Sequence, residues 1–161
     1  MKTKLNWTKE LFSDYRIFDN DKQIGFIKKK PFSQKSTAEI NGEKYEFQER
    51  GFFSQETDIV DISENKIIGK IKYNFWRSKT FIEVNNENFT CESKNFWGTK
   101  WSIYNSKGTN ILYHSSFTKG KIDTNEDDAV KILSGFYLHT YYIRLIIFLI
   151  VWLFFYIVVL R

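Results

Sequence analysis

Displaced by 44 residues, the chain falls on itself: IGFIKKKPFSQKSTAEINGEKYEF (24–47) lies over IGKIKYNFWRSKTFIEVNNENFTC (68–91). Across thirty gapless positions, 24–53 against 68–97, nine residues are identical. Average residue frequencies would give about two by chance. Ile24-Gly25 meets Ile68-Gly69, Ile27-Lys28 meets Ile71-Lys72, Lys35 meets Lys79, and Glu39, Asn41 and Glu43 meet Glu83, Asn85 and Glu87. Tyr45 falls on Phe89, and Phe52-Phe53 on Phe96-Trp97. A fainter third copy pairs Ile59 with Ile103, Ile67 with Ile111 and Ile68 with Leu112.

Each unit reads as four short strands separated by polar turns. YRIFDNDKQIGFIKK, TDIVDISENKIIGKIKY and WSIYNSKGTNILYHSS alternate apolar and polar residues around Asp-Asn-Asp, Ser-Glu-Asn and Ser-Lys-Gly-Thr. AEINGEKYEF places Asn-Gly between alternating arms, a strong hairpin signal, and its mate IEVNNENFT has Asn-Asn there, where Asn tolerates positive φ. Such a meander presents alternate side chains to one buried face. Gly25 and Gly69 fall mid-strand at equivalent places, where glycine marks a bulge or bend. A sheet bent at matching points suits a closed barrel better than a flat sandwich.

The end of the chain is different. Residues 145–160 comprise Leu145, Ile146, Ile147, Phe148, Leu149, Ile150, Val151, Trp152, Leu153, Phe154, Phe155, Ile157, Val158, Val159 and Leu160, with Tyr156 among them and Arg144 and Arg161 at the ends. Sixteen residues make about 24 Å of helix, and Tyr141, Tyr142 and Ile143 bring it near the ~30 Å of a bilayer's hydrocarbon. Both arginines can snorkel outwards. The expectation is a transmembrane anchor over 144–161, although Trp152 lies mid-run rather than at an interface.

Residues 122–143, IDTNEDDAVKILSGFYLHTYYI, supply a second apolar rod. Thr124 and Asn125 are good N-caps, and Glu126, Asp127 and Asp128 suit the positive end of a helix dipole. From Ala129 onward apolar side chains surround most of the helix, broken by Lys131, Ser134, His139 and Thr140. A helix apolar nearly all round requires burial all round, and Gly135 permits close approach of a strand. Three arrangements remain open: a barrel helix over 126–143 with the tail in lipid, the tail itself filling the barrel, or one continuous helix from Glu126 that does both. The first is preferred, because so long an exposed apolar stripe would aggregate in water.

The repeat and this C-terminal segment together resemble the tubby-like superfamily, which includes the LURP-one-related proteins and the phospholipid scramblases. The resemblance covers about residues 15–143 and rests on architecture, not on a sharp motif. It implies a mainly β fold: a closed antiparallel barrel of repeated hairpins around a central hydrophobic C-terminal helix, here followed by a hydrophobic tail. The expected domains are thus the barrel over 1–143 and the transmembrane helix over 144–161. It also implies recognition of anionic phospholipid headgroups, with scramblase-like lipid transport as the alternative function. A third reading keeps the protein soluble, with the tail as core.

The net charge of +5 favours an anionic partner. Lys28 and Lys30 share one face of a strand while Lys29 points the other way. With Lys35 and the repeat mates Lys72, Arg77 and Lys79, they are the candidate lipid-binding residues. Arg77 beside Trp76 offers a guanidinium to phosphate next to an interfacial aromatic. No catalysis is expected. Cys91 aligns with Phe47, an apolar strand position, His114 and His139 stand far apart with no ligand spacing, and no phosphate-cradling glycine loop occurs. The acidic triplet lacks the spacing of a calcium loop. No cofactor or metal is expected. Nor is nucleic acid a partner, since the aromatics alternate with apolar residues instead of following a basic stripe. The N-terminus lacks the apolar core of a secretory signal, so the barrel is expected on the cytoplasmic side of the membrane.

Overall fold

The computed structural model describes residues 3–10, 14–30, 33–50, 56–73, 79–95, 98–116 and 118–159. Twelve strands follow one another: β1 (Thr3–Lys9), β2 (Tyr15–Asp19), β3 (Lys22–Lys29), β4 (Lys35–Ile40), β5 (Glu43–Glu49), β6 (Glu56–Asp61), β7 (Lys66–Lys72), β8 (Lys79–Val84), β9 (Glu87–Ser93), β10 (Lys100–Tyr104), β11 (Asn110–Ser116) and β12 (Lys119–Thr124). A single helix, α1 (Ala129–Val159), comes last. Sequential strands pair antiparallel, and β1 closes on β12 in the register Thr3↔Thr124 to Thr8↔Lys119. Closure leaves no edge for another chain to pair with.

The repeat is structural. β3–β6 and β7–β10 are the two copies, and their inward mates are all buried: Ile27 and Ile71, Ala38 and Ile82, Phe47 and Cys91, Ile59 and Ile103. The third unit is split across the closure, with β11–β12 from one end of the chain and β1–β2 from the other. Of the matches expected for it, Ile59 with Ile103 belongs instead to the first two copies, and Ile67 with Ile111 differs in burial: Ile67 is 49% exposed, whereas Ile111 is fully buried.

The punctuating residues behave as their chemistry requires. Asn41 and Gly42, and likewise Asn85 and Asn86, take positive φ in the two hairpin turns, the geometry that matches the twist of the flanking strands. The ladder slips one residue opposite each mid-strand glycine, between Ile17 and Phe18 across from Gly25, and between Ile59 and Val60 across from Gly69. A Cβ on Gly25 would lie 2.4 Å from the Glu39 carbonyl, and one on Gly69 would lie 2.3 Å from that of Glu83. Those strands are too close for any side chain.

One continuous helix forms both the buried rod and the exposed apolar tail. Ala129, Val130, Ile132, Leu133, Phe136, Tyr137 and Leu138 are buried in the barrel, whereas every residue from 146 to 159 is 51–70% exposed. The boundary expected at 143/144 therefore falls within an unbroken rod of 31 residues, about 46 Å long. It is the first half that fills the barrel. The helix begins at Ala129, three residues later than expected, because Thr124 and Asn125 are otherwise engaged. The Thr124 hydroxyl accepts from Glu126 N at 2.9 Å, and the Asn125 carboxamide bridges Asn110 N and the Gly108 carbonyl. Asp128 is the cap, accepting from Val130 N at 3.1 Å.

Inside, Phe136 meets Trp7, Tyr15 and Tyr113 at ring separations of 5.7, 5.0 and 5.4 Å. Trp101 stacks between Tyr113 and His139. Its indole donates to the Gly135 carbonyl at 3.1 Å, and the Tyr113 hydroxyl donates to the Ile132 carbonyl at 2.8 Å. Strand side chains thus satisfy helix carbonyls, and the helix is fixed in rotation as well as in depth.

Candidate functional site at the helix-exit end of the barrel

β1 runs away from the end where the helix enters, and the strands alternate after it. The β2–β3, β4–β5, β6–β7, β8–β9 and β10–β11 turns and the β12–α1 link therefore gather at one end. The β1–β2, β3–β4, β5–β6, β7–β8, β9–β10 and β11–β12 connections join strands at the other, where the helix leaves.

Three charged groups grip the helix at that exit. Glu49, the last residue of β5, accepts through Oε1 from Arg144 at 2.6 Å, from Lys29 and from the Tyr137 hydroxyl at 3.3 Å. Arg144 also lies over the Tyr141 ring, which stacks on Tyr73 at 4.0 Å. Tyr142 hydrogen-bonds Thr80 on β8, and the Tyr15 hydroxyl on β2 lies 2.8 Å from His139 Nδ1. The helix is tied to β2, β5 and β8, and to Tyr73 just past β7, within two turns of its exit. Burial pushes the Glu49 carboxyl up, but hydrogen bonds from Arg144 and Lys29 outweigh it and hold the group below its usual range. Burial likewise holds the Lys29 ammonium below its usual value, against the pull of Glu49. Beside them, Thr57 shares hydrogen bonds with the Tyr73 and Tyr137 hydroxyls at 2.7 and 2.9 Å. Arg144 is thus clamped to the barrel, where snorkelling was expected.

The described candidate lipid-binding residues, Lys28, Lys30, Lys35, Lys72 and Lys79, fall at this end, in two arcs separated by β5 and β6. Lys28 and Lys30 are exposed, Lys28 over the Phe26 ring at 5.2 Å, and Lys29 does turn to the other side, into the clamp. Lys35 pairs with Glu46 at 2.9 Å, and Lys79 approaches Glu92 at 3.9 Å. Lys72 is exposed at the end of β7. Arg77 and Trp76 lie outside the described residues, as does Leu160 of the anchor.

Sequence reasoning missed the clamp. Glu49 and Arg144 stand 95 positions apart, and only barrel closure brings them together. A partial signal was present, since Lys29 falls on the inward face of its strand and an inward lysine needs an acid. The acidic triplet has a structural use: Lys131, 12% exposed at its side chain, lies 3.2 Å from Glu126, 3.6 Å from Asp128 and 3.4 Å from Glu87. Burial pushes the Cys91 thiol up to about 12, which removes it as a nucleophile near neutral pH. Among the described residues no group of three or more metal-ligating side chains occurs.

The class defined by this geometry is a closed twelve-stranded antiparallel barrel, filled by the first half of one helix whose apolar second half projects uncovered. Comparison with protein-family models, with curated proteins and with solved structures finds no match.

Proposed function

We propose that this protein is a membrane-anchored, non-catalytic binding or scaffold module: a tubby-like barrel held at a bilayer by the second half of its own core helix. One observation carries this reading. Fourteen consecutive helical residues, 146–159, are apolar apart from the Tyr156 hydroxyl and the Trp152 indole N–H, and all are exposed, whereas monomeric soluble proteins rarely expose contiguous apolar patches of more than a few hundred Å². The helix is long and apolar enough to cross a membrane. Twelve strands closed around a C-terminal helix support the tubby-like resemblance. Exposed Lys28, Lys30 and Lys72 support contact with anionic headgroups, and cations beside the span support a cytoplasmic barrel.

The test is alkaline carbonate extraction of cell membranes containing the full chain or the double variant Leu149→Lys, Leu153→Lys. The full chain should stay in the pellet and the variant should shift to the supernatant. A full chain released by carbonate, with its barrel intact by circular dichroism, would refute the anchor.

A further inference from the structure

The modest net charge conceals a strong polarity along the barrel axis. Each connection can be counted from the last residue of one strand through the first of the next. The described residues of the helix-exit end, with Arg144, then carry eleven cations and four acids. The entry end, counted likewise and including the link to α1, carries three cations and nine acids. The β3–β4 and β7–β8 connections at the exit end have no described acid at all, and the β12–α1 link at the opposite end has three acids and no cation.

Two further observations give this polarity a direction. The helix passes from barrel to tail without a break, so no linker separates the exit rim from whatever surrounds the tail. The run between Arg144 and Arg161 holds sixteen residues, about 24 Å of helix against ~30 Å of hydrocarbon. The shortfall draws the next turn, Tyr141 to Ile143, towards the bilayer. That turn is fastened to the rim through Tyr73 and Thr80, and Arg144 just after it through Glu49, so the rim must follow.

On these grounds we infer that the exit rim as a whole, not a pocket on the barrel wall, is a membrane-docking surface. The barrel stands end-on, its basic rim in the anionic headgroup layer of the bilayer that the helix crosses and its acidic end in water. This deepens the anchor reading and rests on it. Anionic lipid attracts the rim and repels the opposite end, so both ends favour one orientation.

The test uses the full chain in vesicles of phosphatidylcholine, with or without phosphatidylserine. Single cysteines replace exposed residues at the rim (Lys30→Cys, Lys94→Cys) and at the opposite end (Asp21→Cys, Glu64→Cys), each labelled with a small fluorophore. Cys91 is buried and stays in place, with the unsubstituted chain as the labelling control. A lipid carrying a quencher on its headgroup should quench the rim sites at least about threefold more than the opposite sites, and the ratio should rise with phosphatidylserine. Equal quenching at both ends, in protein that resists carbonate, overturns end-on docking and leaves the anchor standing. A high ratio that ignores phosphatidylserine overturns the anionic partner. Release by carbonate overturns the anchor and the docking together.

Discussion

Gly135→Ala tests which part of the helix lies inside the barrel, because two physical effects oppose each other there. On an exposed helix the change should stabilise by about 1 kcal/mol, the difference in helix propensity. Inside the barrel the new methyl would lie 2.3 Å from Tyr113 Cζ and Oη and 2.6 Å from Cε2. Carbon–carbon contact needs about 3.5 Å, so the ring must retreat by roughly 1 Å. It has nowhere to go. Tyr113 is fully buried, stacked on Trp101 with centroids 5.0 Å apart and set edge-on to Phe136. Overpacking of this kind costs about 1–3 kcal/mol, and losing the hydrogen bond to the Ile132 carbonyl adds about 1–3 kcal/mol. Less the propensity gain, the net destabilisation is about 1–5 kcal/mol. The assay is denaturant unfolding of the full chain in detergent micelles, followed by near-ultraviolet circular dichroism, which reads the Trp101 stack. In a Tyr113→Leu background the clash disappears, and Gly135→Ala should become neutral or stabilising, a coupling of about 3 kcal/mol between the two sites. If Gly135→Ala alone raises stability by about 1 kcal/mol, residue 135 is not packed under β11 and the fold described above is wrong at its core.

Further outcomes follow from other contacts. Gly69→Ala and Gly25→Ala press a methyl into a neighbouring backbone carbonyl and should each cost at least about 2 kcal/mol, more than Gly42→Ala, where φ is strained but the space is open; equal losses at all three would argue against the close strand approach. Asp128→Ala should cost about 1 kcal/mol and Asp128→Asn much less, since Asn also caps, while Asp127→Ala at an exposed site should stay within about 0.5 kcal/mol. Glu49→Gln leaves Lys29 and Arg144 facing each other at a partly buried mouth and should cost about 2 kcal/mol, reduced from the fully buried case because Arg144 is 36% exposed at its side chain. The Glu49 carboxyl is held below its ordinary 4.5, so its contribution is fully present above that value and drains away as pH falls through the lower folded one. Denaturation midpoints between about pH 6 and about pH 3 should therefore fall more steeply for the native chain than for Glu49→Gln, and parallel curves would exclude the clamp as their source.

Local chemistry and the closed barrel were readable in the sequence, and the pairs of distant residues that closure brings together were not. The 44-residue offset exposed the hairpins, the Asn turns and the paired glycines, because each depends on a few adjacent residues whose φ or side-chain volume is decisive. The buried half of the helix was readable for the same reason: it has too few polar positions to face water. The helix start misled, since Thr124, Asn125 and three acids in a row all cap well, and only the engagement of Thr124 and Asn125 with the β10–β11 turn and their own backbone leaves Asp128 for the task. The third repeat unit was half hidden because its four strands come from opposite ends of the chain. The exit clamp and the polarity of the two ends stayed invisible for a related reason. Composition reports a sum of charges, whereas the division between ends depends on which turns the alternating strands bring together.

That division bears on how the molecule assembles. An empty barrel lined by Phe47, Tyr113, Ile59 and Trp101 would collapse or remain open, because the carbonyl partners of Trp101 and Tyr113 belong to the helix. The strands therefore cannot reach their final packing before the helix is present, and the helix carries the apolar tail with it. Barrel closure and tail placement are coupled through one rigid element: whatever holds the tail helical and oriented also favours the filled barrel. Ligand-linked stability follows the same logic, with bilayer in the role of ligand. The native chain should then resist unfolding better in lipid bilayers than in micelles, and substitutions at the Glu49–Arg144 contact, which transmits force between the two halves, should narrow the difference. If barrel stability is the same in both environments, the two halves of the helix act independently, and the clamp is a local ion pair with no mechanical role.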